Sequence, residues 1–205
     1  LGAKIAQYTV GWSTLLFDLQ NRHDLLWDEL ETYRRGVTNA ARPPCCDAPY
    51  TTDGFWMREY PLAYVIPLGA GQRSDAEANR LVDWLLTNGI LVDEMKQDTP
   101  YNGVTFEKGS YVVWMTQAHR GLADTALSIG TNISGLIGQL YAPPAAWSHG
   151  YLWGADTLVI PRDASFAPVT NRVNKSSHLL GGVEPGVAEA YVLQIDSPSA
   201  VRTLN

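Results

Sequence analysis

The pattern that most constrains this chain is a strand–helix–strand run over residues 62–115 whose opening recurs near the C-terminus. Ala63-Tyr64-Val65-Ile66-Pro67 is echoed by Ala190-Tyr191-Val192-Leu193-Gln194. A segment suited to opening a helix follows each copy, Ser74-Asp75 after the first and Ser197-Pro198 after the second. Two related strand–helix modules are implied, the second cut off soon after it starts at about residue 188. A chain that ends inside a module is expected to be a piece of a larger protein.

Residues 62–66 form an unbroken apolar run rich in β-branched and aromatic side chains. Such a run suits a strand buried on both faces, as in a parallel sheet. Ser74 or Asp75 caps the following helix, with Leu81, Val82, Leu85 and Leu86 inward and Asn88-Gly89 at its end. Further strands are predicted at 90–92, 110–115, 156–161 and 188–195. Tyr101-Asn102-Gly103 and Lys108-Gly109 read as turns. A second helix is expected over 117–129, with Leu122, Ala126 and Leu127 inward, and the first turns of another over 197–205. Strands alternating with helices imply crossover connections and an α/β fold built on a mostly parallel sheet with flanking helices. Ile66, Leu81, Leu85, Val92, Val112 and Val113 are the predicted core.

Upstream the pattern differs. Ile5, Tyr8, Trp12, Leu15, Leu16, Leu19, Leu26, Leu30 and Tyr33 recur at three- and four-residue steps, the helical period. Gly11-Trp12-Ser13-Thr14 is a candidate interruption, so the spacing predicts one long helix over about 13–35. Arg34 and Arg35 suit its last turn, and Gly36 suits the position just past its end. Residues 37–61 carry Pro43-Pro44, Pro49 and Pro61 and no periodicity, which describes a loop. The domain division is therefore a helical segment over 1–42 and an α/β domain over 43–205.

The net charge of −6 argues against a nucleic-acid partner, which requires clustered Lys and Arg. No apolar run approaches the roughly 18 residues needed to span a membrane. The cysteines, Cys45 and Cys46, are adjacent. They read as two loop thiols without a role, or as thiols available to another chain.

Nucleophile and nucleotide motifs are missing. There is no Gly-x-Ser-x-Gly elbow. Leu68-Gly69-Ala70-Gly71-Gln72-Arg73 sits where a dinucleotide loop would, but lacks the third glycine and reads as a permissive strand-to-helix turn. None of His23, His119, His149 and His178 has a His or Glu at the spacing that places two zinc ligands on one helix face. Accordingly no cofactor, no metal site and no catalytic residue is expected within this chain. One cluster has a functional case: Thr116, Gln117, His119 and Arg120 follow the strand at 110–115 and open the next helix. At the carboxyl end of a parallel strand, free helix N–H groups and Arg120 would suit a small anion. The competing reading is that Gln117 and Arg120 tie the loop to its neighbours.

Taken in order, Arg34-Arg35-Gly36, the run 61–67, the helix 78–89, Phe106-Glu107-Lys108-Gly109-Ser110-Tyr111-Val112-Val113, Gln117-Ala118-His119-Arg120-Gly121 and Tyr151-Leu152-Trp153-Gly154-Ala155-Asp156 form a pattern. It resembles the non-catalytic region downstream of the peptidase domain in large secreted bacterial zinc carboxypeptidases. That resemblance implies a secreted parent that removes C-terminal residues, with its zinc held in a catalytic domain upstream of Leu1. The family's His-x-x-Glu pair, downstream His, substrate-binding Arg and general-base Glu have no counterparts here. Such regions are likened to class I glutamine-amidotransferase folds, so the expected sheet is amidotransferase-like or flavodoxin-like. The implied partner is the peptidase domain of the same protein, against which the helix 13–35 closes, and the implied role is to pack on or orient that domain or to bind its substrate; the alternative is a degenerate α/β enzyme-like domain that binds a small anionic ligand at the carboxyl ends of the strands. A homodimer through that helix is the expectation if the peptidase domain is missing.

Overall fold

The computed structural model describes residues 2–41, 59–130, 148–177, 190, 195 and 198–203. The expectations about Cys45, Cys46, His178 and the strand near 188–195 fall outside these residues, apart from the single positions 190 and 195.

The first element, α1, is an unbroken helix over Gly2–Val37. It is longer than the 13–35 expected. Gly11 costs only about 1 kcal/mol against alanine, and the Thr14 hydroxyl bonds back to the Val10 carbonyl at 3.0 Å rather than capping a new start. The stop also differs. Gly36 stays inside the helix, and Asn39 takes the left-handed conformation, at φ 51°. The Ala40 N–H reaches the Arg35 carbonyl and the Asn39 N–H reaches that of Gly36. This paired closure is a Schellman motif with asparagine in the usual glycine position.

After β1 (Ala63–Ile66) and a single 3₁₀ turn comes α2 (Asp75–Thr87). Ser74 caps α2 by accepting the Glu77 N–H. The next elements are β2 (Val92–Met95), a hairpin of β3 (Thr99–Tyr101) and β4 (Val104–Phe106), and β5 (Tyr111–Trp114). The hairpin turn places Asn102 and Gly103 both at positive φ, the requirement of a two-residue type I′ connection. Helices α3 (Arg120–Leu127) and α4 (His149–Trp153) precede β6 (Leu158–Ile160) and β7 (Thr170–Val173), and α5 covers Pro198–Thr203.

The main sheet has the order β6-β1-β5-β2-β7, and every neighbouring pair is antiparallel. The expectation of a mostly parallel, amidotransferase-like or flavodoxin-like sheet is therefore corrected. β1 and β2 do run the same way across α2, as a crossover unit would. However, β5 inserts between them in the opposite direction, pairing Val65 with Val112 and Glu94 with Tyr111. The unbroken apolar run of β1 has another cause than parallel pairing: both faces of this antiparallel sheet are covered. On one face Tyr64, Ile66, Tyr111 and Val113 pack against Leu81, Leu85, Ala123 and Leu127 of α2 and α3. On the other, Ala63, Val65 and Val112 meet Met95, Phe106 of the hairpin, Ile160 and Phe166.

All six predicted core residues are fully buried. The second predicted helix is shorter than 117–129, because residues 117–119 turn before α3 begins, and Leu122 faces outward while Ala123 takes the inner position.

Candidate functional site

The cluster singled out in the sequence lies where β5 turns into α3, and Thr116 is its exposed member. Gln117 is 2% exposed, and its amide is fully used by the backbone. Oε1 accepts the Leu91 N–H at 2.8 Å, while Nε2 donates to the Leu91 carbonyl at 3.2 Å and the Trp114 carbonyl at 2.7 Å. The side chain thus behaves as one more rung of the sheet, joining the chain ahead of β2 to the end of β5.

Arg120, at the start of α3, is 5% exposed. Its guanidinium donates to the Ala40 carbonyl at 2.9 Å and lies 4.4 Å from the centre of the Tyr60 ring. A buried cation needs such partners, since an uncompensated one would be costly. His119 is half-buried, with its ring 5.1 Å edge-on from that of Tyr33 in α1.

These residues converge on the end of α1. Three successive carbonyls just past the helix each receive an arginine: Asn39 from Arg162 at 3.0 Å, Ala40 from Arg120, and Ala41 from Arg35. The helix C-terminus carries partial negative charge, so cations there are favoured. Gly36 completes the joint. It is the buried residue of α1, and a Cβ at that position would overlap the Gln117 carbonyl oxygen. Glycine is required here by close approach between helix and loop, a role not apparent from its place near the helix end.

An anion at this cluster requires the shared carboxyl end of parallel strands. In the antiparallel sheet the end of β5 lies beside the start of β1, with Trp114 opposite Ala63. The glycine loop after β1 likewise serves the fold. The Ala70 N–H is held by Glu107 at 3.0 Å and that of Gly69 by Asp75 at 2.9 Å, so carboxylates of the chain itself fill the positions a phosphate would take.

The rest of α1 stands away from the sheet. Ile5, Tyr8, Trp12, Leu15, Leu19, Leu26 and Leu30 form one stripe and are all exposed, Trp12 by 55% and Leu19 by 60%. Asp24, Asp28, Glu31 and Arg35 recur on the opposite side at helical spacing. In the first half, Val10 and Phe17 are also exposed off the stripe. Helices owe most of their stability to packing of an apolar face. Burying Trp12, Leu16, Leu19, Leu26 and Leu30 is worth about 7–15 kcal/mol in all. Residues 13–35 carry the exposed ion pair Arg34–Glu31, which holds the Glu31 carboxyl below its usual range.

Elsewhere, two clefts have volumes of about 50 Å³, beside Arg73, Ser148 and Asp156, and about 230 Å³, beside Thr99, Pro100 and Phe166. Both are smaller than the roughly 300–1,000 Å³ of small-molecule sites. His149 packs its ring 4.2 Å from Trp84 and 5.2 Å from Trp153, with Arg80 over Trp153. His23 is exposed on α1 beside Asp24. Among the described residues no group of three or more His, Cys, Asp or Glu is placed to hold a metal ion. Among them, too, no helix is long and apolar enough to cross a membrane. Comparison with protein-family models, with curated proteins and with solved structures found no match.

Proposed function

We propose that this chain is a non-catalytic accessory domain of a secreted zinc metallocarboxypeptidase-like protein. It packs on the peptidase domain through α1 and orients that domain. Proteolysis, the removal of C-terminal residues, belongs to the parent, and the zinc would be held by the peptidase domain.

The observation that carries the reading is the exposed apolar stripe of α1, whose last turn is anchored to the α/β domain while its length is bare. A helix of 36 residues with that surface needs a cover of its own size. The sequence resemblance supplies the candidate cover, since the corresponding helix there closes against the peptidase domain.

The test begins with the coding sequence upstream of Leu1, which should contain His-x-x-Glu. The encoded domain, co-expressed with this chain, should bind zinc, remove C-terminal residues and protect the α1 stripe from hydrogen exchange. Trp12→Glu with Leu19→Glu should abolish that protection. The chain alone should show no peptidase turnover and should self-associate through the bare stripe at micromolar concentration. A monodisperse monomer whose α1 is already protected from exchange would refute the proposal, because the stripe would then be satisfied within one chain.

A further inference from the structure

The way α1 is held differs from ordinary helix packing. A helix lying along a sheet takes its direction from contacts spread over many turns. α1 takes its direction from one end, because Gly36 is its buried residue and the stripe from Ile5 to Leu30 is exposed. At that end the fixing points come from several parts of the chain. Gly36 rests against the Gln117 carbonyl. Arg120 of α3 holds the Ala40 carbonyl, and Arg162, in the segment after β6, holds that of Asn39 at 3.0 Å. The Tyr33 ring abuts His119, which also lies close to Gly89, where an added Cβ would be 3.3 Å from the ring.

Charged donors from two different segments on the successive Asn39 and Ala40 carbonyls, together with Gly36 seated against the Gln117 carbonyl, restrain the direction in which α1 leaves the domain. A fork-shaped guanidinium restrains its acceptor more narrowly than a flexible ammonium would. We infer that this joint is a rigid one-ended mount that sets the direction of α1 against the sheet. A partner lying along the roughly 50 Å of the helix is thereby held at a fixed angle to the α/β domain. The use of the mount rests on the docking role proposed for α1. Its rigidity does not, and can be measured on the chain alone.

Spin labels at Gln20→Cys on α1 and Ala76→Cys on α2, in a background of Cys45→Ser and Cys46→Ser, report the distance between helix and domain by pulsed electron resonance. The parent chain should give a single narrow peak at dilutions where it is monomeric. Gly36→Ala, which forces the helix off the Gln117 carbonyl, and Arg162→Ala, which frees one carbonyl at a half-exposed position, should each lose that peak to a broad distribution. The thermal transition of the α/β domain checks that each variant is folded; should Gly36→Ala fail to fold, Arg162→Ala decides. A broad distribution in the parent chain, or a narrow peak that survives Arg162→Ala, overturns the inference. Either result would leave the partner assignment to be judged by the co-expression experiment.

Discussion

Replacing Gln117 by alanine separates a structural role from a ligand-binding one. The amide makes three hydrogen bonds to backbone groups, at 2.7, 2.8 and 3.2 Å, from a side chain that is 2% exposed. Each such bond contributes about 0.5–1.5 kcal/mol net, and a buried group left unpaired costs about 1–3 kcal/mol. Leu91 is partly solvated, with 44% of its surface exposed, so water can reach its N–H and C=O in the variant. The Trp114 carbonyl is the group that loses its side-chain partner without such relief. Together these place the loss near 2–3 kcal/mol. In a domain stable by about 5–15 kcal/mol that is a large shift in urea midpoint at unchanged slope. Thr116→Ala, one residue away and exposed, should stay within about 0.5 kcal/mol. The assay is urea unfolding followed by tryptophan fluorescence and far-ultraviolet circular dichroism, on Gln117→Ala, Thr116→Ala and the parent. A Gln117→Ala midpoint within error of Thr116→Ala would refute the argument and return Gln117 to the list of candidate ligand groups.

Leu85→Ala removes a fully buried side chain between α2 and the sheet and should cost about 2–5 kcal/mol; an unchanged denaturant midpoint would contradict the assigned helix face. Burial raises the Tyr111 hydroxyl above its usual pKa. Above about pH 10 the unfolded chain therefore loses this proton while the folded chain keeps it, and stability falls as pH rises. Tyr111→Phe should flatten that alkaline slope while lowering stability near neutrality, since the hydroxyl bonds Asn79 at 2.7 Å and the Ser177 N–H at 2.6 Å; identical slopes in the two proteins would count against the assignment. Arg120→Ala should destabilise the domain and expose the end of α1, read as faster hydrogen exchange at residues 38–41, whereas exchange unchanged there would mean that Arg120 does not secure the joint.

The local elements were legible in the sequence because their causes lie within a few residues. Ser74 three positions before Glu77 starts α2, and Asn88-Gly89 ends it with Gly89 at φ 75°. Asn102-Gly103 dictates a tight hairpin turn, and the helical period of residues 5–33 dictates α1. The burial of β1 on both faces could also be read, from its apolar run. Strand direction could not. An apolar run records how much of a strand is covered, while direction depends on where the chain returns, and β5 returns between β1 and β2. A tying role for Gln117 and Arg120 is readable from their place after the strand, but their partners, and that of Gly36, were hidden for the same reason. Gly36 looked like a helix stop because glycine often serves there, but its partner is a carbonyl 81 positions along the chain, and Arg120 meets a carbonyl 80 positions away. Short-range chemistry determined the helices and turns of this protein by sequence alone. Only tertiary structure decided the sheet's direction and brought Gln117 and Arg120 to the end of α1, because both are set by contacts between residues that the sequence keeps far apart.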